Sequence, residues 1–335
     1  MLAAPPLGLS GENARMPEGF PEGFALRPPS PADAEAIMDE ESIALIGVPV
    51  VSMDWLVAPW TAPGRDLERD FGVVESRDGD LAGYFFVESD PPHTEVFTIG
   101  VVAIGYHGRG LGAAILAEAE RRARRRVDLA PPGERVVVHA GALAGEPNVA
   151  ALLTAHGYVE VRRFARMRID FDDAPSSPAH PAGIEIRPLV RGEESSVYAC
   201  IAEAFSDHWG ATWPTEEAWL HEHVEAGEFH PDLWQLAWDR AQLAGVLIAR
   251  PQDYEEPTLG HVTLVGVRRA YRRRGIGEAL LRTSFVQLHS RGCRGAALGV
   301  DTESITGATR LYERLGMVSE PRFSAWEKEL RPADA

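Results

Sequence analysis

The sequence of 335 residues has almost no lysine, little cysteine and no long apolar run. Lys328 is its single lysine, so the other 32 of its 33 basic side chains are arginine. The two cysteines, Cys200 and Cys293, lie 93 positions apart without a C-x-x-C pair, so neither a disulfide framework nor a thiolate metal site is indicated. No apolar run approaches the roughly 20 residues that span a bilayer, and the first residues lack the pattern of a secretion signal. We therefore expect a soluble, cytoplasmic protein.

The charge balance argues against nucleic acid as a partner. The chain carries 50 acidic and 33 basic side chains, a net charge of −17 that repels phosphate backbones. The arginine-rich run from Glu120 to Arg126 is interpreted as the charged end of a helix. His221 and His223 are spaced two apart, which is not the H-E-x-x-H pattern of a zinc site. We predict no metal, no membrane and no nucleic acid, and any anionic ligand must be held by a local basic loop.

A tandem repeat organises the chain. The segments VAIGYHGRGLG (Val102 to Gly112) and VRRAYRRRGIG (Val267 to Gly277) align without gaps at an offset of 165 residues. The tripeptides Leu26 to Pro28 and Ile186 to Pro188 repeat at an offset of 160 residues. Repetition at such an interval indicates duplicated domains. The predicted divisions are a tail at 1–23, a first domain at 24–170, a polar, Pro-rich linker at 171–183 and a second domain at 184–331.

Strands alternate with helices in both copies, which predicts an α/β (α+β) fold with helices packed against a sheet. The predicted elements of the first copy are Phe24 to Pro28, Leu81 to Val87, Val96 to Val102, Leu111 to Arg126, Val136 to Ala140 and Val149 to Gly157. Those of the second copy are Ile184 to Pro188, Leu243 to Ala249, His261 to Val267, Ile276 to Ser290, Ala296 to Val300 and Gly307 to Gly316.

Each copy has a glycine-rich turn between a strand and a helix. Glycine lets the backbone approach a phosphate, and a helix N-terminus presents free N–H groups to it. The second turn adds the guanidinium groups of Arg272, Arg273 and Arg274 before Gly275 and Gly277, so it is predicted to hold a pyrophosphate. The first turn has fewer charges and is predicted to bind more weakly; its residues are His107, Gly108, Arg109, Gly110 and Gly112. Neither turn ends in G-K-[ST], and no acidic residue is placed for a ribose, so nucleotide and dinucleotide sites lack support.

At these residues the chain resembles the GNAT superfamily of N-acetyltransferases, whose signature is a strand, a [QR]-x-x-G-x-[GA] turn and a helix. RRRGIG (Arg272 to Gly277) matches that signature in full, whereas HGRGLG (His107 to Gly112) lacks the leading Gln or Arg. The segment Asp301 to Met317 is similar to the closing strand and helix of the family. The whole resembles the actinobacterial tandem members related to mycothiol synthase. The resemblance implies two tandem GNAT-like domains, each a mixed, mostly antiparallel sheet flanked by helices, with acetyl-CoA as co-substrate.

Tyr312 is the predicted general acid. A phenol with a pKa of about 10 is protonated at neutral pH and can give its proton to a departing thiolate. Ala308, Leu311, Tyr312 and Leu315 follow the i, i+3, i+4, i+7 spacing of a core-facing helix side. In the first copy Leu153 stands at the place of the tyrosine, so that domain is predicted to be catalytically degenerate.

The general base stays open among three candidates. They are His261, Glu303 and the group Asp207, His208 and Trp209, which resembles a substrate-side segment of the tandem proteins. Gly266 inside a strand predicts a bulge or a close backbone approach. The resemblance then assigns the pantetheine arm and the thioester to main-chain groups near Val265 and Val267, and to Ser304. The predicted cofactor residues are these three, Ile276, Val102 and the residues of both turns.

The sequence thus predicts an N-acetyltransferase that acts on a small-molecule primary amine by direct transfer in a ternary complex. Alternatives that stay open are a mycothiol synthase, an aminoglycoside-type or protein-lysine acetyltransferase, and a non-catalytic acyl-CoA-binding sensor. Because a duplicated chain can mimic a dimer, we expect a monomer.

Overall fold

The computed structural model describes residues 19–30, 33, 37, 66–206, 208–209, 214–225, 229–253, 256–304 and 307–334. The strands are β1 (Phe24–Arg27), β2 (Phe71–Ser76), β3 (Leu81–Glu88), β4 (Glu95–Val102), β5 (Val136–Leu143), β6 (Val159–Asp170), β7 (Glu185–Pro188), β8 (Gln235–Asp239), β9 (Gln242–Arg250), β10 (Gly260–Val267), β11 (Gly295–Asp301) and β12 (Val318–Arg331). The helices are α1 (Leu67–Asp70), α2 (Leu111–Arg124), α3 (Pro147–Ala155), α4 (Glu194–Phe205), α5 (Glu216–Leu220), α6 (Ile276–Ser290) and α7 (Ala308–Arg314).

Two compact units are formed, one by residues 1–161 with 323–335 and the other by residues 162–322. In the first unit the strand order is β1-β2-β3-β4-β5-β12, and in the second it is β7-β8-β9-β10-β11-β6. Neighbouring strands run antiparallel, except β4 with β5 and β10 with β11, which are parallel. The predicted fold class, two mixed and mostly antiparallel sheets with flanking helices, is confirmed.

The units divide the chain differently from the predicted domain boundaries. Residues 323–331 of β12 pair with β5 and complete the first sheet. Residues 164–170 of β6 pair with β11 and complete the second sheet. The predicted linker, 171–183, also lies within the second unit. Sequence proximity placed both closing strands in the wrong copy, because their partners lie more than a hundred residues away.

Helix α6 shows why these sequences form their elements. Its residues Ile276, Leu280 and Leu288 are buried and share one helix face, since they are separated by multiples of four. The helix begins after Gly275 and ends shortly before Gly292, and both glycines are in the left-handed region of the backbone. The predicted bounds of this helix, Ile276 to Ser290, are confirmed.

The sheet of the second unit is covered on both faces. Alternate residues of β9 point to opposite sides. Leu247 and Ala249 belong to the core under α6, whereas Val246 and Ile248 belong to a second core. That second core holds Val197 and Ile201 of α4 together with Trp219 and Trp234.

Candidate active site

The candidate site of the second unit lies where β10 and β11 separate. The two described strands pair at two positions, the last of which joins His261 to Ala297. Beyond it β10 continues beside β9 to Val267, and β11 continues beside β6 to Asp301. A gap therefore opens between the strand ends, and the main chain from Val265 onwards lies along one edge of it.

Gly266 allows a close approach of helix α4. A Cβ atom at Gly266 would lie 3.0 Å from the ring of Phe205 and 3.1 Å from Cβ of Ala204, both in the last turn of α4. The irregular register of β10 lies earlier, between Val262 and Leu264. Of the two predicted explanations for this glycine, the close approach applies, and the neighbour is a helix.

The turn before α6 has the shape of an anion cradle. Arg273 and Gly275 both have left-handed backbones, with φ of +63° and +78°, and no side chain caps the helix that starts at Ile276. Left-handed residues next to right-handed ones turn successive N–H groups towards one concavity. The first N–H groups of α6, including that of Gly277, have no acceptor within the helix. The turn is therefore suited to a phosphate.

The first unit repeats this geometry. Gly108 and Gly110 have φ of +73° and +83° and stand 165 residues before Arg273 and Gly275. The strands before the turn, β4 and β5, pair as far as Phe97 with His139 and then separate. Helix α2 starts after Gly110, again without a side-chain cap.

The arginines of the second turn differ in their partners. Nε of Arg272 donates to the carbonyl of Val267 at 3.3 Å, and its Nη2 donates to the carbonyl of Ala204 at 2.9 Å. Arg274 lies 5.1 Å from the ring centre of Tyr271 and 3.7 Å from Asp239. These main-chain acceptors of Arg272 were not anticipated from the sequence.

The first turn has matching contacts. Nε2 of His107 donates to the carbonyl of Val102 at 2.9 Å, five residues back, as Arg272 does to Val267. Arg109 lies 5.0 Å from the ring centre of Tyr106, as Arg274 does from Tyr271. A cation stacked on tyrosine is thus common to both turns.

Tyr312 lies on α7 and is buried in the core under α6, with 6% of its surface exposed. Burial raises the pKa of Tyr312 to about 12. Leu315 is also buried, so the predicted core-facing side of this helix is confirmed. In the first unit Leu153 is buried in α3 without a hydroxyl group.

His261 stands at the point where the two strands part and is held by a buried ion pair. Its Nδ1 lies 2.8 Å from Oδ2 of Asp253, whose other oxygen accepts from Nη2 of Arg166 at 2.7 Å. Burial lowers the pKa of His261; the hydrogen bond that His261 donates to Asp253 opposes this, and the charges of Arg250 and Arg166 add to it. Sequence reasoning missed Asp253 and Arg166, since no local pattern connects a loop carboxylate with an arginine on β6.

Glu303 and Trp209 both contact the guanidinium group of Arg162 on β6. Oε2 of Glu303 accepts from Nη1 of Arg162 at 3.1 Å. The same guanidinium lies 5.8 Å from the ring centre of Trp209, which also packs against Phe164 at 6.3 Å. Arg162 and Phe164, both on β6, were missed because this strand was assigned to the other copy.

The structure describes two of the three remaining predicted site residues. The ring of His208 packs on Phe205 at 4.5 Å, and burial lowers the pKa of His208. Ser304 follows β11, where its N–H donates to the carbonyl of Asp301 at 3.2 Å. Asp207 lies outside the described residues.

Two absences hold for the described part of the chain. It contains no cluster of three or more His, Cys, Asp or Glu side chains arranged to ligate a metal ion. None of its helices combines the length and apolar character needed to cross a bilayer.

Comparison with known proteins identifies the chain's relatives. The model of the acetyltransferase (GNAT) family matches residues 198–317, which lie in the second unit. A mycothiol acetyltransferase of Thermobispora bispora is 32% identical over 260 residues, 74% of this chain and 79% of the relative. One from Streptomyces scabiei is 32% identical over 249 residues, 72% of this chain and 74% of the relative.

Solved structures agree with these relatives. A GCN5-related N-acetyltransferase from Sphaerobacter thermophilus is 33% identical, with a TM-score of 0.76 over 94% of this chain and 98% of that one. A tandem GNAT protein from the clavulanic acid biosynthesis pathway shares the fold, with 19% identity and a TM-score of 0.66 over 93% of this chain and all of that one (100%). Fold and relatives together define an N-acetyltransferase. The chain belongs to the GNAT family of acetyltransferases.

Proposed function

We propose that the second unit transfers the acetyl group of acetyl-CoA directly to a small-molecule primary amine bound beside it. The observation that carries this proposal is the gap between β10 and β11, which runs into the anion cradle before α6. A gap between strand ends admits the narrow pantetheine arm, and free N–H groups at a helix N-terminus suit its pyrophosphate. Membership of the GNAT family supports the same assignment.

The cofactor is held mainly by backbone in this proposal. The N–H groups of the turn and of the first turn of α6 face the pyrophosphate, with Arg273 and Arg274 as the neighbouring cations. The main chain at the edge of β10 holds the pantetheine arm and the thioester oxygen. Acetyl-CoA, when bound, supplies an activated acetyl group. The assigned residues are Val265, Val267, Arg273, Arg274, Gly275, Ile276, Gly277 and Ser304.

Tyr312 acts as the acid. With a pKa of about 12 it stays protonated at any physiological pH. Full transfer to a thiolate of ordinary pKa, about 8.5, is uphill by roughly 3.5 units, or about 5 kcal/mol. Tyr312 therefore donates a hydrogen bond to the sulfur first, and the proton moves as the carbon–sulfur bond breaks.

His261 is the base that the contacts favour over Glu303. Asp253 binds Nδ1 of His261, which fixes the tautomer and directs Nε2 as the proton acceptor. Its lowered pKa keeps the imidazole neutral and able to accept a proton at pH 7. Glu303 is instead paired with Arg162, and it contributes to the acceptor wall with His208 and Trp209.

A mycothiol acetyltransferase is the second candidate, because that is what the relatives at 32% identity are called. Its acceptor would be a cysteinyl pseudodisaccharide. The first unit is proposed to bind CoA weakly through Val102, His107, Gly108, Arg109, Gly110 and Gly112, without catalysis, because Leu153 replaces the phenol.

The test begins with isothermal titration of acetyl-CoA into the protein and into a Gly275→Val variant. A β-branched side chain at φ +78° strains the turn, so binding should weaken at the second unit by tenfold or more, about 1.4 kcal/mol. Gly292→Val is the matched control, since Gly292 has φ of +88° in the turn after α6, remote from the gap.

Thiol release from acetyl-CoA is then measured with a library of primary amines that includes the cysteinyl pseudodisaccharide. Release with any amine, lost in Gly275→Val and kept in Gly292→Val, supports the transferase. The amine that causes release is then identified as the acceptor. Tight binding without release from any amine would leave a CoA sensor, and absence of binding would refute both.

A further inference from the structure

Arg272 joins two elements through its guanidinium group. Nε donates to the carbonyl of Val267, at the end of β10, and Nη2 donates to the carbonyl of Ala204, 68 residues earlier in the last turn of α4. Carbonyls in the last turn of a helix lack partners within the helix and carry its negative dipole end, so a guanidinium there is doubly favourable.

The end of α4 is held against β10 at further points. Gly266 leaves just enough room for Ala204 and Phe205, because a Cβ at this position would lie 3.0 Å from the phenyl ring. Next to it Nε of Arg268 lies 3.4 Å from Oε2 of Glu203. The last turn of α4 is thus fixed to the strand that leads into the cofactor turn.

The segment directly after α4 is the predicted acceptor wall. The N–H of His208 donates to the carbonyl of Phe205 at 2.9 Å, and the two rings are 4.5 Å apart. Trp209 follows and packs against Phe164 of β6. The position of this wall therefore depends on where α4 ends, and Arg272 contacts that end through the carbonyl of Ala204.

The first unit provides a natural comparison. His107 occupies the place of Arg272 and makes the same contact with the strand carbonyl, Val102, at 2.9 Å. An imidazole reaches one acceptor through Nε2, whereas the forked guanidinium reaches two carbonyls at once. Among the described residues, the two-carbonyl bridge occurs in the unit that has Tyr312.

We propose that Arg272 is a positioning residue, which couples the cofactor turn to the acceptor wall through Ala204 and is not a ligand of the phosphates of the cofactor. That the wall binds an amine acceptor rests on the proposed function, whereas the coupling of the turn to α4 and the absence of a phosphate contact do not.

The informative variant is Arg272→His, which reproduces the contact of the first unit and removes the bond to Ala204. Arg273→Gly is the matched control for the exchange measurement alone, because Arg273 stands where the first turn has Gly108 and neither carbonyl contact involves it. Arg272→Lys replaces the histidine variant if the latter does not fold.

Binding is measured by isothermal titration of 3′,5′-ADP and of CoA. A lost guanidinium–phosphate pair weakens binding by about tenfold or more. We expect Arg272→His to bind both molecules within about threefold of the parent chain. Weakening of the binding of either molecule beyond that limit would overturn the proposal.

Hydrogen exchange reports the coupling itself. In Arg272→His the amides of residues 203–209 should exchange about tenfold faster than in the parent chain, while those of α6 stay unchanged. Exchange at 203–209 within about threefold of the parent rate, or acceleration of the same size in Arg273→Gly, would overturn the proposal.

Kinetics distinguish positioning from a loss of stability. With an amine found by the release assay, Arg272→His should raise KM for the amine about tenfold and leave KM for acetyl-CoA unchanged. A larger change in KM for acetyl-CoA than for the amine would contradict the coupling. If the parent chain acetylates no amine, the proposed function fails. Titration and hydrogen exchange still test the positioning role of Arg272 in that case.

Discussion

At the residue scale, two buried groups of the second unit, one on α7 and the other on β10, have displaced pKa values. Burial raises that of Tyr312 and lowers that of His261, so both are kept in their neutral forms near pH 7. A neutral phenol can donate a proton, and a neutral imidazole can accept one. In the proposed function the phenol is the acid and the imidazole is the base. Burial keeps the imidazole unprotonated, whereas the phenol would be neutral at pH 7 even with its ordinary pKa of about 10.

Replacing Tyr312 by phenylalanine should lower kcat about a hundredfold, the usual contribution of a general acid, and leave acetyl-CoA affinity within about twofold. The ring and its packing stay, so the chain should remain folded. Steady-state kinetics and titration measure both quantities.

Tyr158→Phe is the control for this change, because Tyr158 is an equally buried phenol of the first unit, with 3% of its surface exposed. It should leave kcat unaltered. An unaltered kcat in Tyr312→Phe as well would remove the acid role from that residue.

His261 should also make stability depend on pH. Because its pKa in the folded chain lies below the unfolded value of about 6.5, the unfolded chain binds an additional proton in that interval. The free energy of unfolding therefore falls as pH falls through about 6.5, and this loss ends below the folded pKa. Asp253 reduces the shift, and Arg250 and Arg166 increase it.

Urea unfolding between about pH 8 and pH 5 checks this prediction. His261→Gln should flatten the decline of stability, whereas His180→Gln, at an exposed position of the segment 171–183, should not. An equal slope in the parent chain and in His261→Gln would contradict it. Acetyl transfer should fall with pH in the parent chain, through the folded pKa of the histidine.

At the element scale, the first sheet depends on the end of the chain. Removing residues 323–335 deletes the part of β12 that pairs with β5 and takes Trp326 out of the core. We expect hydrogen exchange in residues 136–143 to accelerate by at least about a hundredfold, since β5 becomes an edge strand. A chain shortened from Pro332 keeps these pairs and is the control.

Amides of β11 should be much less affected by that truncation, because β11 pairs with β6 and β10. Equal acceleration in β5 and β11, or none in either, would contradict the assignment of the closing strands. Sequence reasoning missed that each closing strand belongs to the other unit, and the reason is physical. Strand β6 carries Arg162, Arg163, Arg166 and Arg168, and its charged pattern resembles a surface segment until its partner is known.

At the scale of the whole molecule, the repeated turns predict two CoA sites per chain. Both turns have paired left-handed residues before a helix. Apart from Arg272, which donates to carbonyls, the second turn has Arg273 and Arg274, whereas the first has only Arg109. The site of the first unit should therefore be the weaker, because fewer cations face the phosphates.

Isothermal titration of CoA measures this stoichiometry. The parent chain should bind two molecules, and Gly110→Val, which strains the turn at φ +83°, should abolish the weaker phase while acetyl transfer persists. A stoichiometry of one that Gly110→Val leaves unchanged would confine the cofactor to the second unit. Loss of transfer in Gly110→Val would contradict catalysis by the second unit alone.

Features that depend on neighbouring residues could be predicted from the sequence. The two glycine turns, the start and end of α6 and the core-facing position of Tyr312 follow from left-handed backbone requirements and from i, i+4 spacing, which act within a few residues. The duplication could be read for the same reason, since the repeated motif is continuous.

Contacts between distant segments could not be predicted in this way and are visible only in the folded chain. Asp253 meets Arg166 across 87 residues, and Arg272 meets Ala204 across 68. Whether an arginine faces a phosphate or a carbonyl, and which carboxylate holds a histidine, depends on which strands are neighbours. Strand order is set by burial of whole faces and by pairing of distant edges, and no local pattern encodes that information.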